Sequence, residues 1–247
     1  MVPVSAVALV PNTPWTGPGT IGASDACAPS KLVAYGLEYE QSAINGLLQR
    51  GFIVAMTDYQ GLGTPGARTY MNREAQGAAV LDMGRAVPNL GIAEVNADTR
   101  YVLWGYSQGG GASAAAAEMQ AGYAPDVNVV AGYAGGIPVD TMLTAQALEG
   151  TPMIGFLGYA IHGMQETDPD LYRDVLGLLN ERGKQWVAQE GNSCAFETFT
   201  NLPIQNSSIY TLSGNRLSHD LQDPRFQDYF ARQRLGMVAP SMPMFVA

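Results

Sequence analysis

Apolar positions along this chain fall into two periods. Phe52-Ile53-Val54-Ala55-Met56-Thr57, Tyr101-Val102-Leu103-Trp104 and Val127-Asn128-Val129-Val130-Ala131-Gly132-Tyr133 are short runs with little polar interruption and predict buried strands, and Ala6 to Val10 is a further apolar run that stops at Pro11. Between them the spacing turns helical. Leu37, Ile44, Leu47 and Leu48 lie on one face of a helix predicted from Leu32 to Gln49 and closed by Gly51, and a second helix is predicted from about Asn72 to Ala86. Pro11 to Pro29 reads as a proline- and glycine-rich loop with a strand lacking, and Asp58 to Gly66 as the turn-rich exit of a strand. Strands alternating with helices predict an α/β fold: a mostly parallel sheet flanked by helices.

From Ala134 to Pro240 the alternation gives way to helices and loops. Met153 to Ile161 is an apolar segment, followed by an amphipathic, charged stretch through Glu190. The division predicted is residues 1–133 as the first part of an α/β core, 134–240 as a helical cap or lid insertion, and 241–247 as the start of a further core strand. A cap placed after the fourth predicted strand would lie over the C-terminal ends of the strands, where open α/β sheets bind ligands. The two glycines among residues 153–161 suggest mobility in place of core packing.

Composition narrows the function classes. Thirteen basic against 22 acidic residues, net −9, provide no footprint for a phosphate backbone, so no nucleic-acid partner is expected. No stretch is long enough to span a membrane, and the N-terminus carries no signal peptide of the charged-then-apolar kind. The two cysteines, Cys27 and Cys194, are too few for a structural metal site; the spacing leaves open two reduced thiols or one long-range disulfide. No cofactor and no metal are expected.

The chemistry is concentrated in one segment. Gly105-Tyr106-Ser107-Gln108-Gly109 follows an apolar strand and opens an alanine-rich helix, the order of a nucleophile elbow. Glycines two before and two after the serine remove side chains that so sharp a turn would not admit, and the helix N-terminus directs free N–H groups toward a forming oxyanion. Ser107 is therefore the candidate acyl-transfer nucleophile and the Gln108 backbone N–H a candidate oxyanion donor. Gly109-x-Gly111-x-x-Ala114 imitates a dinucleotide fingerprint, but its first glycine lies too far past the strand. His162 and His219, the only histidines, both precede the last predicted strand and read as structural or solvated, as Asp58 and Asp82 read as loop and helix residues.

The elbow, together with Asp25-Ala26-Cys27-Ala28-Pro29-Ser30, Thr57-Asp58-Tyr59-Gln60-Gly61-Leu62-Gly63 and Leu179-Asn180-Glu181-Arg182-Gly183, resembles the secretory lipase family, the bacterial secreted lipases and the fungal lipase A type, over nearly the whole chain. The resemblance implies an extracellular α/β-hydrolase with a helical cap, acting on acylglycerols or other carboxylic esters, with transient contact to a lipid interface. It also implies pairing of Cys27 with Cys194, and it makes Thr20 the nearest match to a second oxyanion site. Relatives place the acid just after the strand matching Pro243 to Ala247 and the histidine further on, and neither position falls within these 247 residues. The expectation is an incomplete sheet and triad, and a chain weak or inactive as an esterase. The alternatives are a non-catalytic remnant or acyl-ligand-binding pseudo-enzyme, and another elbow enzyme such as an acyltransferase.

Overall fold

A computed structural model describes residues 4–9, 15–92, 95–96, 98–201 and 204–247. In chain order, β1 (Val4–Leu9) and β2 (Trp15–Thr16) lead through a 3-10 turn to α1 (Pro29–Tyr35), α2 (Gln41–Gln49) and β3 (Val54–Gln60). Then come α3 (Arg73–Ala86), β4 (Tyr101–Tyr106), α4 (Gln108–Tyr123) and β5 (Val129–Gly135). Seven helices follow: α5 (Thr141–Leu148), α6 (Gly155–Thr167), α7 (Pro169–Leu178), α8 (Glu181–Glu190), α9 (Ala195–Asn201), α10 (Leu217–Asp220) and α11 (Pro224–Gln233). The last strand is β6 (Met244–Val246).

Two three-stranded sheets, β1-β3-β2 and β4-β5-β6, meet at Gly17, which bridges to Gly105 and donates its N–H to the Trp104 carbonyl at 2.9 Å. The spatial order is therefore β1-β3-β2-β4-β5-β6, parallel throughout except for β1, which runs antiparallel to β3. Alternate residues of β3 and its approach face opposite layers, as strand geometry requires. Val54 and Met56 pack with Ile44, Leu47 and Leu48 of α2, whereas Ile53 and Ala55 join the core of α3 and α4. Small residues allow α3 and α4 to approach closely: a Cβ on Gly77 would come 3.0 Å from the Ala115 carbonyl carbon.

The helices after β5 have a core of their own, built from Ile154, Leu157, Ile161, Val175, Trp186, Tyr210, Phe226 and Tyr229. Within it the Trp186 and Tyr210 rings stack with centroids 4.5 Å apart.

Three sequence expectations change. The helix predicted from Leu32 to Gln49 is two helices, because Gly36 adopts φ 68° and ends α1, its N–H and that of Leu37 returning to the last carbonyls. The strand read as lacking before Gly17 exists as Trp15–Thr16, too short to leave a hydrophobic period, and it joins the two halves of the sheet. The glycines of α6 mark close approach and not mobility. A Cβ on Gly163 would lie 2.9 Å from the Arg68 carbonyl oxygen and the Tyr70 nitrogen, and one on Gly158 would meet the Glu190 side chain at 2.7 Å.

Candidate active site

Ser107 stands between the end of β4 and the start of α4, with φ 56° and ψ −120°. A residue with a side chain reaches positive φ only at a cost of about 1–3 kcal/mol, which the surroundings must offset. They do so by hydrogen bonds: the Ser107 N–H donates to the Gly135 carbonyl at 2.9 Å, and the Ser107 carbonyl accepts from Gly111 N at 3.0 Å. Glycines then clear the turn. A Cβ on Gly105 would sit 2.2 Å from the Gly109 carbonyl oxygen, one on Gly109 1.9 Å from the Gly17 oxygen, and one on Gly110 2.2 Å from the Gly135 oxygen. All three obstacles are backbone and have no rotamer to change. Gly109→Ala is expected to destabilise the protein by about 2–4 kcal/mol, read from its urea midpoint against wild type.

The serine opens on an apolar cavity of about 290 Å³ at the boundary between the sheet and the helices α5, α6, α10 and α11. Its walls include Tyr70, Met71, Leu148, Phe156, Leu157, Ile161, Leu217 and Leu221. Met71, like Ser107, has positive φ, at 62°. Gln108, first residue of α4 and 1% exposed, also lines the cavity, and its amide is one of the helix donors with no intrahelical acceptor. The arrangement sets a serine hydroxyl and a free N–H beside the positive end of a helix, above an apolar space.

The Gly17–Thr20 loop packs behind this turn. The Pro18 carbonyl accepts from Tyr59 Oη at 2.8 Å and the Gly19 N–H donates to Glu40 Oε2 at 3.0 Å. Thr20 does not line the cavity: its Oγ1 pairs with Tyr70 Oη at 2.9 Å, and Tyr70 forms the wall. Sequence reasoning missed Tyr70, and also Arg68, whose Nη2 donates to Gln108 Oε1 at 2.7 Å. No local signal marks either residue, since each acts through a partner 40 or more positions away.

Neither histidine faces the serine's cavity. His162 follows two wall residues of α6 but turns its ring against Gly191, where a Cβ would meet Nδ1 at 2.4 Å, and burial holds its pKa down. His219 is exposed beside Asp220, with Nδ1 3.4 Å from Oδ1. Asp58 is committed elsewhere, accepting from Ser30 N at 2.7 Å and Ser30 Oγ at 2.6 Å, and Asp82 binds Arg85 at 3.0 Å and Tyr123 Oη at 2.8 Å. Among the described residues no cluster of His, Cys, Asp or Glu is arranged to hold a metal ion.

Cys27 and Cys194 form a disulfide, their Cα atoms 5.8 Å apart. Around it Ala23 N donates to the Ser193 carbonyl and Ala195 N to the Ile21 carbonyl, both at 2.8 Å, so the segment after Gly17–Thr20 is tied to the end of α8 and the start of α9.

Burial raises the Glu40 pKa to about 7. A carboxyl group whose pKa is higher folded than unfolded binds more protons when folded, so stability falls as pH rises from the ordinary carboxylate value to about 7. Glu38 and Glu190, also raised by burial, act with the same sign. The melting temperature is expected to rise as pH is lowered from 8 to 5, and Glu40→Gln is expected to flatten that rise.

Comparison with known proteins gives the lineage. The family described as Secretory lipase matches residues 27–247. Lipase A of Moesziomyces aphidis is 30% identical over 172 residues, 66% of this chain and 36% of that protein. Secreted triacylglycerol lipase LIP5 of Malassezia furfur is 27% identical over 227 residues, 88% of this chain and 58% of its own length. This chain thus spans about half the length of the curated relatives it matches. Candida antarctica lipase A superposes with a TM-score of 0.79 at 22% identity, covering 98% of this chain and 60% of that one. The rice cell wall degrading esterase LipA from Xanthomonas oryzae superposes at 0.78 and 22%, covering 98% and 69%. The fold is that of the α/β-hydrolases. With the elbow serine, the disulfide and a match running from Cys27 to Ala247, the chain belongs to the secretory lipase family.

Proposed function

We propose that this chain carries the acyl-binding and nucleophilic part of a serine carboxylic-ester hydrolase, acting on acylglycerols or other esters with apolar acyl groups. The observation that carries the reading is a positive-φ serine, at 56°, opening on an apolar cavity of about 290 Å³. The acyl chain lies among Phe156, Leu157, Ile161 and Leu217, burying apolar surface at roughly 25 cal/mol per Å². The ester carbonyl then meets Ser107 Oγ, which attacks it while the Gln108 N–H holds the oxyanion. Residues 134–240 serve as the cap over this cavity, 1–133 as the first part of the core and 241–247 as a further core strand. Thr20 contributes through Tyr70 and not directly. The general base and its acid come from residues other than His162 and His219, whose rings point away from the cavity. The family description and the disulfide support an extracellular protein. Its partners in this reading are an ester or lipid substrate and, transiently, a lipid interface, and the net charge of −9 argues against nucleic acid.

A second reading follows from the same histidine geometry: without a base at Ser107 the chain acts as an acyl-ligand-binding protein. One experiment separates the two. p-Nitrophenyl decanoate has a leaving group that departs without a proton, so Ser107 Oγ can form its bond to the acyl carbon, lose its proton to solvent and expel the phenolate slowly without a base. Peptide mass spectrometry after long incubation is expected to find a decanoyl ester on Ser107 and none in Ser107→Ala. Ligand recovered unreacted from an unmodified serine would favour the binding protein and count against the hydrolase.

A further inference from the structure

Arg68 is 1% exposed and, among the described residues, is paired with no carboxylate. Its single hydrogen bond is the one from Nη2 to Gln108 Oε1 at 2.7 Å, and Nε and Nη1 find no acceptor among the described residues. Its guanidinium lies over the Tyr70 ring, 5.2 Å from the centroid, which compensates only part of the lost hydration. Burying an ion with two of its nitrogens unpaired is among the costlier arrangements a protein can hold. The position adds to the cost, because Gln108 is the first residue of α4 and the cation stands beside the positive end of the helix. Backbone fixes it there: the Arg68 carbonyl is pressed against Gly163 of α6, and the Ala67 carbonyl against Gly61.

Hydrogen bonding within the fold gives no account of this charge, but an anion at Ser107 does. A carboxylate head or a tetrahedral oxyanion beside the Gln108 amide would relieve both the unpaired cation and the like-signed helix end at once. We propose that Arg68 is a positioning residue for the serine site: it holds the Gln108 side chain, and through it the Ser107–Gln108 peptide, and its charge makes the cavity prefer an anionic acyl head group to a neutral one. The proposal rests on reading the cavity as an acyl site.

The test is titration of the full 247-residue chain at pH 8 with sodium decanoate and, separately, with 1-decanol, which share an alkyl chain and differ in the charge of the head. Wild type is expected to bind decanoate about tenfold more tightly than decanol, the scale of one charge-assisted hydrogen bond. Arg68→Met is expected to remove that preference while leaving decanol affinity unchanged, Gln108→Leu to remove it together with some decanol affinity because that side chain lines the cavity, and the double variant to lose no more of the preference than either single one. Arg68→Lys should keep most of it. Because an unpaired buried charge is being replaced by an apolar chain, Arg68→Met is expected to melt no lower than wild type, a result that a structural salt-bridge arginine would not give.

Retention of the decanoate preference in Arg68→Met overturns the proposal, as do additive losses in the double variant. An Arg68→Met protein that fails to fold marks the guanidinium as structural and also contradicts it; Gln108→Leu then shows independently whether the preference depends on the pair. Wild type that binds decanol without preferring decanoate sinks the Arg68 proposal alone, whereas wild type that binds neither ligand removes the acyl site as well.

Discussion

Joining to this chain a C-terminal segment that bears an acid and a histidine is expected to raise hydrolysis of p-nitrophenyl decanoate by about 10³-fold or more, the gain disappearing in Ser107→Ala. A serine hydroxyl is a weak nucleophile at neutral pH, and a positioned base contributes about 10²–10⁴-fold. Neither histidine of the 247 residues supplies it: one ring rests on Gly191 and the other faces solvent beside Asp220. The sheet geometry favours the join. Gly136 N donates to the Ala247 carbonyl at 2.9 Å while the adjacent Gly135 carbonyl accepts from Ser107 N at 2.9 Å, so residues placed after Ala247 leave the sheet at the same end as Ser107. A segment from one of the lipases it resembles is a suitable donor. An increase that survives Ser107→Ala would show that the added segment acts alone.

Replacing Cys27 and Cys194 together by serine is expected to destabilise the protein by about 2–5 kcal/mol, measured as a fall in the urea midpoint. The bridge closes a loop with a sequence separation of 167 residues, and so removes much conformational freedom from the unfolded chain. The loss should extend to the site. Gly22 and Cys194 form an isolated β-bridge, and the Ile21 and Ser193 carbonyls each hold an amide across the same junction. Releasing it frees the segment next to Gly17–Thr20, so decanol affinity should fall as well. A midpoint unchanged in the double serine variant under non-reducing conditions would contradict a stabilising bridge.

What the sequence displays and what it conceals divide by range. The elbow was legible because its whole cause is local: strand, glycine, serine, glycine and helix lie within Tyr101 to Ala114, and the backbone conformation at Ser107 follows from them. The buried strands were legible for a similar reason, β3 being covered on both faces and therefore apolar throughout its first half. Gly36 was present to be read as a helix stop, but the apolar spacing on either side of it continued the helical period and hid the break. Trp15–Thr16 was invisible because a two-residue strand has no period at all, and its pairing is set by β3, about 40 positions away. The α6 glycines misled in another way. A glycine such as Gly158 is common to a mobile segment and to a tightly packed helix, and only the position of Glu190 distinguishes the two. Arg68 and Tyr70 lie in a turn-rich stretch whose composition announces a loop, and their meaning is given by Gln108 and Thr20 across the sheet.

The central claim is that this chain holds the nucleophile and the acyl cavity of a serine ester hydrolase while its own histidines do not serve Ser107. Steady-state hydrolysis of p-nitrophenyl decanoate by the 247-residue chain, compared with Ser107→Ala, His162→Ala and His219→Ala, tests it most directly. The account predicts very low turnover that neither histidine substitution lowers further. Substantial turnover lost in Ser107→Ala and equally lost in His162→Ala or His219→Ala would contradict it, and would identify that histidine as the base.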